Sequence, residues 1–305
     1  MSAPSSLAKK EATETTVELV APKSVPSEQQ ARARVRQFAR QPARLFPVRG
    51  SVGLRYRSMA LALGPVLVVA LYAWVSASGG VSETILPTLG SIASASIEVL
   101  AGAEFWGDLW FSFLRVSAGF LAAALLAVPL GILSGSFRVC SSLLEPSSEF
   151  LRYVPVPALI PLVMIFAGID EGAKVLLVFV GTFFQLLLMT ADEVRRVPLR
   201  FVQVSQSLGA SRFELCWKVL TPAALPGISH ALRLCNGWAW SYVVVAELVA
   251  ATEGMGFRIL RFYRFVQTPQ IYVYLLAFGL VGLSLDALFR LVHRRIFRWS
   301  TSGVS

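Results

Sequence analysis

The chain has 305 residues, 55% hydrophobic and only 15% charged, with a mean hydropathy of +0.63. Soluble domains carry about 25% charged residues, a disordered chain cannot be this apolar, and three cysteines are too few for a disulfide scaffold. The composition is that of an integral membrane protein, and there the net charge of +10 points to cytoplasmic segments facing anionic lipid rather than to nucleic acid.

Residues 1–58 are rich in Ser, Pro, Gln, Glu, Ala and Arg with no sustained apolar face, which predicts a disordered basic cytoplasmic tail. Its arginines, Arg32 to Arg44, are placed to touch anionic lipid or only to fix topology. The apolar region then starts too late and runs too long for a signal peptide. Six apolar runs follow, near 59–77, 113–134, 154–169, 173–191, 227–250 and 272–292. Each is close to the roughly 17–25 residues a transmembrane helix needs. Leu61–Tyr72 and Leu121–Leu133 are apolar on every face, unlike the alternating strands of a barrel. The predicted fold is therefore all-α, with six transmembrane helices.

The first run opens a segment, 59–84, that ends outside. The second carries Arg115, and its Gly131-x-x-x-Gly135 offers a small-residue packing face. The third is short and begins with Pro155, Pro157 and Pro161, which suggests a tilted or broken helix. The fourth carries Phe183 and Phe184. The fifth carries Arg233, Trp238, Trp240, Tyr242 and Glu247, and the sixth Asp286. Placing the N-terminus inside puts 22 Lys and Arg in cytoplasmic segments and 4 in external ones, so both termini are expected in the cytoplasm. Residues 293–305 form the basic cytoplasmic C-terminus. Cys140, Cys216 and Cys235 fall at or near that side and are expected as free thiols.

Charges within spans are costly and mark functional suspects. Arg115, Arg233 and Glu247, with the aromatics Phe183, Phe184 and Trp238, are candidates for a translocation path. The alternatives are plain: Arg115 and Arg233 can snorkel or pair, Glu247 can pair with an Arg or accept backbone donors, and aromatics in spans are mostly packing. His230 and His293 lack companions at metal-ligand spacing. No Gly-x-x-x-x-Gly-Lys-Ser/Thr phosphate loop is present, so this chain is expected to bind no cofactor.

The loop between spans four and five is the most informative stretch. A helix is predicted from about Pro198 to Leu208, ended by Gly209 in a left-handed conformation. Ser211 and Glu214 form a Ser-x-x-Glu capping box that starts a second short helix. Pro222 and Pro226 are expected to end that helix and lead into span five. The result is a rigid cytoplasmic elbow suited to insert into a groove on a partner.

This loop resembles the signature of permease subunits of bacterial ATP-binding cassette importers: Glu-Ala-Ala-x-x-x-Gly, nine residues, then Ile-x-Leu-Pro. Gly209, Val219 and Pro222 match, whereas Gln203-Val204-Ser205 replaces Glu-Ala-Ala and Thr221 replaces Leu. Further elements resemble the nitrate/sulfonate/taurine/bicarbonate importers. They are Arg115–Phe120, Pro129–Gly131, Arg152–Leu162, Leu208–Ser211, Pro222–Ile228 and Ala246–Leu248, covering about 85–292. The resemblance implies a permease core over 85–292 with a coupling loop at 198–222. It also implies a second permease copy in a homodimer or a closely related pair, ATPase subunits that bind ATP, and a periplasmic binding protein. Gln203, Ser207, Gly209, Ala210, Ser211, Arg212, Glu214 and Pro222 become the candidate ATPase contacts. The expected function is anion import across the bacterial plasma (inner) membrane, by a chain that is not itself an enzyme. The alternative is an autonomous secondary transporter, for which Asp286 is the best coupling-ion residue.

Overall fold

The computed structural model describes residues 54–299, and among these every regular element is helical. Residues 1–53 of the expected tail, and 300–305, lie outside the described residues. The chain divides into two units, Met1–Ala70 and Leu71–Ser305. The described part of the first unit is the beginning of α1 (Leu54–Ala77), whose Leu63, Val66, Leu67, Val68 and Val69 are all exposed.

In the second unit, α2 (Leu89–Ala101) starts at Thr88, whose hydroxyl oxygen accepts from the Ser91 N–H at 3.2 Å. It is followed by α3 (Ala103–Ser136), α4 (Arg138–Leu151), α5 (Val156–Ala167), α6 (Glu171–Arg195), α7 (Leu199–Ser207) and the single turn α8 (Arg212–Glu214). A π-helical segment, Leu215–Leu220, joins α8 to α9 (Thr221–Ala250). Then come α10 (Met255–Arg264) and α11 (Thr268–Ile296).

Helices cover all six predicted spans. By length and composition α3, α6 and α11 can each cross a membrane, and α4 with α5, bent by 102°, makes a fourth such unit. The bend falls at Pro155, which disfavours the α conformation in Val154 before it and itself stands extended, at ψ 121°, as the N-cap of α5. Helices α2, α4 and α10 lie outside the apolar runs, where the sequence pattern does not ask for them. At 34 residues α3 begins ten residues before its predicted span and is about 51 Å long.

The core is built on α3 against α6, the most extensive helix pair. Three glycines of α3 let the backbones approach. A Cβ on Gly119 would lie 2.7 Å from Val178 Cβ, one on Gly131 2.6 Å from Thr190 Cβ, and one on Gly135 2.6 Å from the Ala191 carbonyl oxygen. The matching order of these contacts makes α3 and α6 parallel. Helix α9 runs antiparallel to both. Near its start Ala224 and Ile228 pack with Ile132 and Val194, and near its end Glu247 meets Arg115. Helix α11 again runs with α3: Tyr274 packs on Phe105 and Phe289 on Phe120. Leu121, Leu125, Ile165, Phe166, Leu280 and Leu283 point outward and exposed. That suits a bilayer rather than water, while the helices keep the backbone hydrogen-bonded.

The coupling elbow and a buried charge clamp

The elbow between α6 and α9 is built from local rules. Helix α7 ends in a Schellman motif: the Gly209 N–H donates to the Gln206 carbonyl and the Ala210 N–H to the Ser205 carbonyl, both at 3.0 Å. Gly209 has φ +80°, which a residue with a Cβ adopts only with strain. Ser211 then caps α8. Its hydroxyl oxygen accepts from the Glu214 N–H at 3.3 Å, and Glu214 accepts from the Ser211 N–H at 3.1 Å, a complete capping box. Lys218 donates to Glu214 at 2.9 Å. Together Lys218, foremost, and Ser211 hold the Glu214 carboxyl at about 2, below its ordinary 4.5.

Beyond α8 the sequence expectation needs correction. Pro222 and Pro226 do not end a separate short helix; the chain runs on without a break into α9. A proline inside a helix clashes with the carbonyl four residues back. The π turn widens the backbone just before Pro222, and both the Thr221 N–H and its hydroxyl reach the Cys216 carbonyl, the hydroxyl at 2.8 Å. Cys216 and Leu220 anchor this segment on Ile132, Val194 and Val197. The tip of the elbow stays out: Val204, Leu208 and Phe213 are exposed, Leu208 by 82%. Large apolar side chains displayed on a polar loop mark a contact surface. The sequence reading passes over Leu208 and Phe213 as contacts; their signal is that they flank the Gly209–Arg212 turn with large apolar side chains.

Two of the charged residues flagged within spans, Arg115 of span two and Glu247 of span five, meet at the other end of α3. Arg115 reaches Glu247 at 2.7 Å and the Glu253 carbonyl at 2.7 Å, and makes a two-pronged pair with Glu171 at 2.5 and 2.8 Å. Glu247 also accepts from the Ser112 hydroxyl at 2.8 Å and the Gly256 N–H at 2.9 Å. The Met255 N–H donates to Ser112 and the Gly254 N–H to Asp108, both at 2.9 Å. Three consecutive backbone donors at the start of α10 are thus satisfied by side chains of α3 and α9, the requirement of any buried helix end. Asp108 further accepts from Arg258 at 2.7 Å and Tyr274 at 3.1 Å. Lys174 joins Glu171 at 2.6 Å. Arg115 is 3% exposed and Glu247 wholly buried, so the cluster is a clamp tying α3, α6, α9 and α10 together.

A model of the family described as "Binding-protein-dependent transport system inner membrane component" matches residues 127–298, a stretch that holds the elbow and Glu247. The chain belongs to this family. It is 35% identical over 248 residues to SsuC of Bacillus subtilis (strain 168), a permease protein named for aliphatic sulfonates transport, covering 81% of this chain and 90% of that one. It is 30% identical over 249 residues to the taurine transport system permease protein TauC of Escherichia coli (strain K12), covering 80% and 90%. CmpB, the bicarbonate transport system permease protein of Synechococcus elongatus, is 32% identical over 195 residues, covering 64% and 70%. Among solved structures, an inward-facing conformation of the MetNI methionine ABC transporter superposes with a TM-score of 0.52 over 64% of this chain and 94% of that one. At 20% identity it speaks for the fold alone.

The chain is thus a multi-pass, inner-membrane permease of the ABC importer class. Of the permease's candidate path residues, Arg115 and Glu247 are engaged with each other. Arg233 stands apart on α9, its Nε 3.3 Å from Asp286, and Trp238 is 41% exposed. Phe183 and Phe184 are half-buried and in edge contact at 5.1 Å. Gln203, Ser207, Ser211 and Arg212 are all exposed on the elbow, with Ala210 half-buried beside them. Ser207 donates back to the Gln203 carbonyl at 3.0 Å. Cys140, Cys216 and Cys235 are free. Among the described residues no group of three His, Cys, Asp or Glu could hold a metal ion.

Proposed function

We propose that this permease is the six-span subunit of an ATP-driven importer of small anions, working as a homodimer with two ATPase subunits and a periplasmic binding protein. The relatives' names point to sulfonates, taurine and bicarbonate, each with an oxyanion group, and an anion of that kind is the proposed cargo, nitrate included. Helices α3, α6 and α11 run one way and α9 the other, and with α4 and α5 as the return crossing between α3 and α6 this supports six spans with both termini in the cytoplasm. The 22-to-4 split of basic residues supports the same orientation. ATP binds and is hydrolysed on the partner subunits. Their closure moves the elbows and so the spans, which requires ATP to favour one of two states.

The observation that carries this reading is the elbow. It is a rigid turn, fixed by Gly209 at φ +80° and a complete capping box, that displays Leu208 and Phe213 to a partner. The test is Gly209→Val. A β-branched residue at positive φ costs roughly 1 kcal/mol or more, and nothing lies within 4 Å of the position where the Cβ would go, so the damage falls on the elbow's shape. Uptake and substrate-stimulated ATP hydrolysis should fall together while the permease still inserts and dimerises. Copurification of the ATPase with unchanged uptake would mean that the loop is only a connector.

A further inference from the structure

At the elbow end of α9 and α11 lies a cavity of about 270 Å³, and five of its seven lining residues are basic. His230 and Arg233 come from α9, and Arg290, His293 and Arg294 from α11. No carboxylate lines it. Asp286, just beyond, pairs with both Arg290 and Arg233, at 3.3 Å from Arg233 Nε. Three arginines thus face one aspartate, a surplus of two positive charges before either histidine takes a proton. Arg294 and His230 have no side-chain hydrogen bond or ion pair with another described residue. Arg290 and Arg294 stand one turn apart on one face, a like-charged pair that weakens a helix unless an anion lies between them.

The cavity is closed behind and open in front. His293 Nδ1 and Ser229 Oγ are 3.1 Å apart, linking α11 to α9, and Phe289 packs on Phe120. His230, Arg290 and Arg294 are exposed. On α11, Leu283, Ala287, Arg290 and Arg294 follow at steps of four, three and four, all exposed, so an apolar stripe runs straight to the two arginines. On α9 the exposed Leu234 stands one turn from His230. The ring of His293 lies 5.0 Å from that of Phe297, which lies 5.4 Å from the exposed Trp299. An exposed Trp at the end of an apolar helix marks the headgroup level of a bilayer.

We propose that this cavity holds the headgroup phosphate of an anionic phospholipid. Arg290 and Arg294 meet the phosphate, His230 and Arg233 close on it from α9, and an acyl chain lies along Ala287 and Leu283. Basic pockets between spans on the cytoplasmic side take such headgroups. A free phosphate would satisfy the arginines but leave the apolar stripe unused. The site is independent of the cargo. Because α9 continues without a break from the elbow, a lipid held here braces the helix through which the elbow acts.

The test is native mass spectrometry of the full-length permease offered phosphatidylglycerol and phosphatidylcholine in equal amounts. Phosphatidylglycerol should be retained about tenfold more tightly, and Arg294→Gln should weaken its binding about fivefold, the effect of one basic residue at a membrane surface. Asp286→Asn, which removes the competing carboxylate, should strengthen it. Arg200→Gln, which removes an exposed charge on α7, should leave it unchanged. Glycerol 3-phosphate carries the headgroup chemistry without chains, and should displace the lipid only at about a hundredfold excess or more. The site is overturned if phosphatidylglycerol is not preferred, or if Arg294→Gln and Arg200→Gln act alike. Displacement by equimolar glycerol 3-phosphate would assign the cavity to a soluble phosphate and overturn the lipid. The same spectra report the oligomer, and loss of a dimer in Arg294→Gln would give this face to a second permease copy and overturn it too.

Discussion

Arg115 shows how a charge inside a membrane protein is made tolerable. Its guanidinium spends its donors on Glu171, Glu247 and the Glu253 carbonyl, and Gly254 leaves the space they need: a Cβ there would stand 2.5 Å from Arg115 Nη1. Removing one member of a buried pair strands the other, at a cost of about 3–5 kcal/mol. Arg115→Ala should therefore lower the melting temperature in detergent sharply. Gly254→Ala should do so too, through both that contact and its φ of +120°. Arg196→Ala, at the exposed pair with Glu193, should change stability by no more than about 1 kcal/mol. Equal effects of Arg115→Ala and Arg196→Ala on melting would refute the clamp. Arg115 and Glu247 are conspicuous in the sequence because each interrupts an apolar run. Their partnership is not, since they are separated by 132 positions, and Asp108 is 146 positions from the Gly254 N–H it accepts from. Only the antiparallel packing of α9 on α3 joins them.

At the scale of elements, what reads out of the sequence is what local chemistry decides. The Gly209 helix end and the Ser211–Glu214 box depend on residues within a few positions of one another, and both stand where the spacing places them. The course of the chain after α8 depends on whether a π turn can relieve Pro222, which is a tertiary matter settled by the seat of Cys216 and Leu220. Likewise α4 and α10 are short and mix apolar with charged or polar residues, so a search for long uncharged runs passes over them. The box also sets a pH response. The Glu214 carboxyl titrates at about 2 in the folded elbow against an ordinary 4.5. Its contribution is therefore fully present above about pH 4.5 and is lost as pH falls through about 2. Amide-exchange protection around 211–215, corrected for the intrinsic rate, should be flat from pH 8 to pH 5. Glu214→Gln should reduce it at neutral pH, and Ser211→Ala should cost about 0.5–2 kcal/mol through the lost cap. Protection that falls between pH 8 and pH 5 in the wild-type chain would remove Glu214 as its source.

For the molecule as a whole, the apolar runs foretell the helices and their order, while direction in the membrane rests on charge. The helices α3, α6 and α11 point one way and α9 the other, and the charge clamp and the elbow lie at opposite ends of α3. If the elbow faces the cytoplasm, the clamp faces out. Residues 2–40 lack apolar surface to join a core, so deleting them should leave uptake near wild type, with Arg44, Arg49, Arg55 and Arg57 retained before the first span to preserve orientation. The orientation itself is open to direct measurement. Single cysteines in a background lacking Cys140, Cys216 and Cys235, probed in intact cells with a membrane-impermeant thiol reagent, should react at exposed positions within 82–108 and 252–270. Those at Ala210 and at exposed positions within 192–222 and 293–299 should react only after the membrane is opened. Glu104 and Glu253 are useful outer positions, being exposed yet close to the clamp. Labelling of position 210 from outside would invert the molecule. It would put the elbow out of reach of any cytoplasmic ATPase and place the clamp on the inner side, against the excess of basic residues that flanks the other end of these helices.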